Sequence, residues 1–172
     1  GIEGINVDIE GITDKYGPDF IEFVRELSIE CRNNGIVMSV DNYVPYNFND
    51  HYRIDEQGLF ADYVVIMGYD EHYAGSQEPG SVASIGYVTY GIEEPLKYVP
   101  AQKLINGVPF YSRVWKTTAD GVSSQAFGMN EVQLFIANHN MTVEWNAATE
   151  QNYAEVSEDD ATYQIWVEDV ES

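Results

Sequence analysis

Two carboxylates, Asp8 and Glu10, stand two residues apart in the stretch GIEGINVDIEG, with the amide of Asn6 two residues before them. Ile5, Val7 and Ile9 alternate with these polar residues. Such period-2 alternation predicts a strand over residues 4–10. Residues two apart on a strand point the same way and lie about 6.5–7 Å apart. One face would therefore carry an amide and two acids, with no cation close to them in sequence. Like charges at that separation resist ionising together, so one carboxyl keeps its proton to higher pH. A carboxyl protonated near neutrality is what a general acid needs.

The elements that must position this pair are legible from periodicity. In PDFIEFVRELSIECRNNG, residues Phe20, Phe23, Val24, Leu27 and Cys31 recur at helical spacing, with Pro18 at the start and Asn34-Gly35 at the stop. IVMSVDNY is an apolar run ending in polar residues, as in a strand covered on both faces of a parallel sheet. Its last polar residues, Asp41 and Asn42, fit sugar contacts and a turn equally well. A short helix is expected around residues 49–60. ADYVVIMGYD repeats the strand theme and ends in Tyr69 and Asp70. SIGYVTYGIEEPLKYVPA reads as a helix interrupted at Pro95, and KLINGVPFYSR as a third such strand, ending in Tyr111 and Arg113. NEVQLFIANHN reads as a helix, and MTVEW, NYAEVS and ATYQIWVED as a small meander.

The scheme is βαβαβαβ with an αββ insertion before the last strand, over residues 112–160, within one domain covering 1–172. Strands alternating with helices predict an α/β fold with a parallel sheet. The main strands end in polar residues at their C-terminal ends, the edge where sites form in α/β proteins.

Composition narrows the partners. Acids outnumber bases 29 to 8, giving a formal net charge of -21. Such a surface repels nucleic acid and anionic membranes and suits neutral or cationic ligands. Thirteen Tyr and three Trp fit stacking on the C–H faces of sugar rings, although Tyr is also a common strand residue. The single cysteine, Cys31, rules out a disulfide within the chain and a Cys-rich metal site. No His/Asp spacing suggests a metal centre. No run approaches the roughly 18 apolar residues of a membrane span.

EGINVDIE resembles the D-G-x-D-x-D-x-E signature of glycoside hydrolase family 18, with Glu10 on the catalytic acid and Asp8 on the aspartate two before it. MGYD resembles the M-x-Y-D strand end of that family, which brings in Met67, Tyr69 and Asp70. GVPFYSR is similar to its next strand, with Tyr111 and Arg113 at the mouth, and IWVED to its final strand, with Trp166 under the central sugar. The four motifs stand in family order along nearly the whole chain. MGYDEHYAGS and GVPFYSRVW are most similar to the bacterial branch of spore and cell-wall N-acetylglucosaminidases. Glu3 and Asn6 stand where the signature has its first and second Asp.

The resemblance implies a (β/α)8 barrel, typically about 250 residues. The signature strand is the fourth of eight, so this chain would be a partial barrel, strands four to eight, with a small α+β insertion. Its open edge would favour self-association or pairing with the missing part. The implied activity is hydrolysis of β-1,4 bonds beside N-acetylglucosamine by a retaining, substrate-assisted route. Glu10 would be the general acid/base. Asp8 would align the substrate's acetamido group, and Tyr69 would donate to its oxygen. Asn6, Met67, Asp70, Tyr111, Arg113 and Trp166 would bind sugar. Arg113 and Tyr111 equally fit pairing with any of the many acids. No metal or cofactor is implied, and the expected location is extracellular or at the cell wall. The alternatives are a lectin-like binding member of the family and an inactive fragment of the enzyme.

Overall fold

The computed structural model describes residues 1–172, which divide into two compact units. The first unit comprises Gly1–Gly68 and Thr89–Gly107. Its strands β1 (Gly4–Val7), β2 (Val37–Tyr43), β3 (Tyr63–Met67) and β4 (Leu104–Gly107) form a parallel sheet in that order. Helix α1 (Gly17–Asn33) links β1 to β2, α2 (Ile54–Phe60) precedes β3, and α3 (Ile85–Glu93) lies between β3 and β4 in the chain.

Helix α1 carries Pro18 in its first turn, where a missing N–H leaves no bond unmade. It is capped at Asn34, and Gly35 follows at φ +66°, a left-handed conformation in which a side chain would be strained. Phe20, Val24 and Cys31 from its buried face meet Val7, Met38, Val40, Tyr52 and Ala61 in one core. Phe23, expected on that face, is exposed. The free Cys31 thiol is buried in this core. On β2 the odd and even positions differ sharply: Met38, Val40 and Asn42 are buried, whereas Ser39, Asp41 and Tyr43 are not.

Asn42 is no surface residue. Its side-chain amide donates to Gln57 Oε1 at 2.7 Å, and Gln57 Nε2 donates back to Asn42 Oδ1 at 2.8 Å. Both are fully enclosed, and Gln57 also reaches the Tyr52 carbonyl, so the two amides are paired as buried polar groups must be. This corrects the surface roles considered for Asn42.

The strand expected over residues 4–10 is shorter, since pairing with β2 stops at Val7. Asp8, Ile9 and Glu10 continue beyond it without ladder bonds. The helix expected over residues 49–60 is a 3-10 stretch at Asn47–Tyr52 followed by α2, with Arg53 between them at φ 51°.

The second unit comprises Tyr69–Val88 and Val108–Ser172. Strands β5 (Tyr111–Thr118), β6 (Gly121–Gly128), β7 (Thr142–Asn146), β8 (Gln151–Glu158) and β9 (Ala161–Val167) form an antiparallel sheet in the order β6-β5-β9-β8-β7. Helix α4 (Met129–Asn138) contributes Val132 and Ile136 to a core with Val114, Met141, Ala154, Ile165 and Val167.

Two expectations change here. KLINGVPFYSR does not run as one strand: β4 ends at Gly107, and β5 begins at Tyr111. Pro109 lies in the break and has no N–H to offer a ladder. MTVEW, NYAEVS and ATYQIWVED do form the expected meander, as β7, β8 and β9, but β9 also pairs antiparallel with β5, and the strands β5 and β6 stand before α4 where the αββ insertion was expected to open on a helix.

Candidate functional site

The polar row of the first unit is built by two neighbouring strands. In the β1–β2 register Asn6 stands opposite Ser39. Because side chains alternate, Ser39, Asp41 and Tyr43 share the face of β2 that flanks this row. The Ser39 hydroxyl donates to Asn6 Oδ1, and Asn6 Nδ2 donates to Asp41 Oδ2 at 2.8 Å. Tyr43 donates its hydroxyl to Glu10 Oε2 at 2.6 Å. Of the residues that receive these bonds, Asn6 and Glu10 are exposed and Asp41 is half-buried, so the row is open to solvent at Asn6 and Glu10.

The carboxyl held above its ordinary range is that of Asp8. Loss of hydration is the largest cause, the Asp41 charge the next and the Glu10 charge the third. The Tyr43 phenol is pushed up to about 12, by burial first and then by the bond to Glu10. It therefore stays a donor across any working pH. Behind it, Tyr43 and Tyr52 meet edge-on at 5.8 Å, and the Tyr52 hydroxyl accepts the Ile12 N–H at 3.0 Å.

The second unit holds the other candidates. Tyr69 and Asp70 follow β3, with Asp70 at φ 59°. The Tyr69 carbonyl accepts the Tyr87 hydroxyl at 3.3 Å, and its ring meets Tyr111 edge-on at 6.5 Å. Tyr111 donates to Asp70 Oδ1 at 2.6 Å, and Arg113 Nη2 lies 3.7 Å from the same oxygen. Arg113 is largely enclosed: Nη1 reaches Ser124 Oγ at 3.3 Å, while Nε is buried without a partner.

Trp166 projects from the sheet face opposite the one packed by α4. Its neighbours Ile165 and Val167 point into that core, and Trp166 stands opposite Tyr153, ring to ring at 4.9 Å. Tyr153 is tied to Glu155, and Gln164 donates to both, at 2.7 and 3.0 Å. Met67 is buried at the end of β3, in the first unit.

Within the first unit the structure thus gathers Asn6, Asp8 and Glu10 with three side chains that sequence reasoning did not place beside them. Ser39 and Tyr43 lie more than thirty positions away in sequence, as their bonds record. The alternation in SVDNY was the available signal. Within the second unit it gathers Tyr69, Asp70, Tyr111 and Arg113, and adds Tyr153, Glu155 and Gln164 beside Trp166. Each histidine has a structural bond: His51 to the Ile12 carbonyl, His72 to the Ser81 carbonyl and His139 to Glu158. No three His, Cys, Asp or Glu side chains converge as a metal ion requires. No helix is long and apolar enough to cross a membrane.

The model of the family described as glycosyl hydrolases family 18 matches residues 1–171. A protein described as an uncharacterized glycosylase, YvbX of Bacillus subtilis (strain 168), is 31% identical over 77% of this chain and 40% of its own length. The cortical fragment-lytic enzyme of the same organism is 22% identical over 100% of this chain and 42% of its own. Among solved structures, the sporulation-specific glycosylase YdhD of Bacillus subtilis superposes with a TM-score of 0.89 at 25% identity, over 98% of this chain and 58% of that one. A chitinase from Chromobacterium violaceum ATCC 12472 gives 0.87 at 24% identity, over 97% and 54%. The likeness fixes the fold class as α/β, part of a (β/α)8 barrel. The chain spans less than half the length of those two curated relatives.

Proposed function

Because this chain belongs to glycosyl hydrolases family 18, we propose that its protein cleaves β-1,4 bonds beside N-acetylglucosamine, in chitin-type or peptidoglycan-type glycans, by retaining, substrate-assisted catalysis. The observation that carries this reading is the row in the first unit. Glu10 is an exposed carboxyl, and two residues before it Asp8 is held toward its protonated form.

In this reading Glu10 gives its proton to the glycosidic oxygen as the bond to the anomeric carbon breaks. The oxygen of the sugar's own 2-acetamido group attacks that carbon. Asp8 accepts the acetamido N–H, aligns the group and stabilises the positive oxazolinium that forms. Glu10 then takes a proton from water as the water opens the ring, which restores the configuration. No second carboxylate nucleophile is needed.

Tyr69 would donate to the acetamido oxygen. Asp70, its carboxylate oriented by Tyr111 and Arg113, would accept sugar hydroxyls, and Asn6 would add a polar contact. Trp166 would offer a ring face to a pyranose. Met67 would act only by shaping the end of β3. The reaction as written uses no metal or cofactor, and its substrates place it outside the cell or at the wall.

The test is product formation from N-acetylglucosamine oligomers and peptidoglycan fragments, read by mass spectrometry. It compares this chain, a form extended to the length of its relatives, and the extended form carrying Glu10→Gln. Cleavage that is lost in Glu10→Gln supports the hydrolase, and the preferred substrate names the glycan. Binding without cleavage in every form replaces it with a lectin-like role. Activity confined to the longer form makes this chain an inactive portion of the enzyme.

A further inference from the structure

The neighbouring strand holds the proposed acid in place. We infer that Tyr43 is a positioning residue for Glu10: its hydroxyl occupies one carboxylate oxygen, orients the other toward the leaving group, and stabilises the charge left when the proton departs. This rests on the reading of Glu10 as the acid/base.

Tyr43 is the last residue of β2, and its hydroxyl lies 2.6 Å from Glu10 Oε2. Glu10 follows the end of β1 pairing, so no ladder bond fixes its backbone against β2. A side-chain bond from the end of β2 therefore does what the sheet does not. Tyr43 is itself anchored. Its ring meets Tyr52 at 90°, and Tyr52, buried in the first core, meets Phe20 edge-on at 5.5 Å and accepts the Ile12 N–H. The anchoring thus links the core of α1 to the chain on both sides of Glu10.

The chemistry follows from the direction of the bond. With Oε2 engaged as an acceptor, Oε1 is the oxygen left to carry and deliver the proton. As the proton leaves, negative charge grows on the carboxylate, and a donor already in place stabilises it without reorganisation. The phenol remains protonated at any working pH, so the donor is constant. Such a bond acts on the chemical step more than on binding.

The experiment has two arms. The first labels tyrosine at Cζ with carbon-13 and follows the Tyr43 resonance of the 172-residue chain from about pH 3 to 8 by NMR; its absence in Tyr43→Phe identifies it. The signal is expected to titrate as the carboxylate at its hydroxyl takes up a proton, and to stop titrating in Glu10→Gln. A Tyr43 signal that ignores pH, or still titrates in Glu10→Gln, overturns the inference whatever the enzyme does.

The second arm measures kcat and KM against pH in the extended form. Tyr43→Phe keeps the ring on Tyr52 and removes only the donor. We expect kcat to fall about tenfold with KM within about twofold, and the alkaline limb of the profile to move up, because loss of a donor favours the protonated acid. An unchanged profile overturns the positioning role while leaving the hydrolase reading intact. Undiminished cleavage by Glu10→Gln instead removes the hydrolase reading, and this inference with it, even where the NMR contact is present.

Discussion

The Tyr111 hydroxyl donates to Asp70 Oδ1 at 2.6 Å, joining the first residue of β5 to the segment that follows β3. Burial and the Asp70 carboxylate hold the Tyr111 phenol well above its usual range. Asp70 sits at positive φ, where a non-glycine residue needs support from outside its own backbone. Tyr111→Phe removes the donor and keeps the ring against Tyr69. We expect a loss of about 1 kcal/mol, read as a lower urea midpoint at constant slope. A midpoint equal to that of the parent would mean that the bond contributes nothing in solution.

Asp8 is raised partly by the charge of Asp41 on the adjacent strand. Asp41→Asn removes that charge but keeps an acceptor for Asn6. The Asp8 carboxyl is then expected to titrate at lower pH, as followed by its carboxyl carbon-13 resonance. An unmoved titration would leave loss of hydration and the Glu10 charge as its sources. In kinetics, the same substitution should displace the pH optimum without abolishing turnover.

Glu168 is enclosed in the second unit, accepts a bond from Gln151, and has its carboxyl raised to about 7, mainly by burial. The folded state therefore binds this proton more tightly than the unfolded chain, whose glutamate titrates near 4.5. The stability of the neutral group is fully present below that lower value and is lost as pH rises through about 7. The difference corresponds to roughly 3 kcal/mol. Denaturation at a series of pH values should show stability falling between these limits, and Glu168→Gln should flatten the fall. An identical slope in the variant would remove Glu168 as its source.

Asn42 and Gln57 exchange two bonds in the interior of the first unit. Gln57→Leu should cost about 3 kcal/mol, because it leaves a buried amide short of partners. Adding Asn42→Leu should recover part of that loss, since replacing both groups removes the unmet demand. A double variant as unstable as the sum of its singles would show that the pair is not coupled.

Much of the first unit was legible from local pattern. YVVIM is a continuous apolar run and reads as a strand; VMSVDNY also reads as a strand, but it is buried on one face only, at Met38, Val40 and Asn42, and not on both as expected. The spacing of Phe20, Val24 and Cys31 reads as one helical face, and Pro18 and Gly35 bound it. Less was legible in the second unit. YSRVWKTT and GVSSQAFG mix polar and apolar residues without clean alternation, because the sheet face that carries Arg113, Trp115 and Trp166 is itself partly polar. Pro109 stands inside a stretch whose hydropathy looks unbroken, so the end of β4 was invisible without the pairing partners.

The sequence by itself determined which residue types are available for chemistry and in what order: the acids at 8 and 10, the Tyr-Asp pair at 69 and 70, and Tyr111, Arg113 and Trp166 after them. It also determined the alternation that gives β2 one buried and one polar face. Only the tertiary structure decided that this polar face is spent on the acids. The parallel register puts Asn6 opposite Ser39, and with it Asp41 against Asn6 and Tyr43 against Glu10. The physical reason is that neighbours in a parallel sheet are separated by a whole crossover helix. Side chains that set one another's charge and orientation are then far apart in the chain, and no local spacing can pair them.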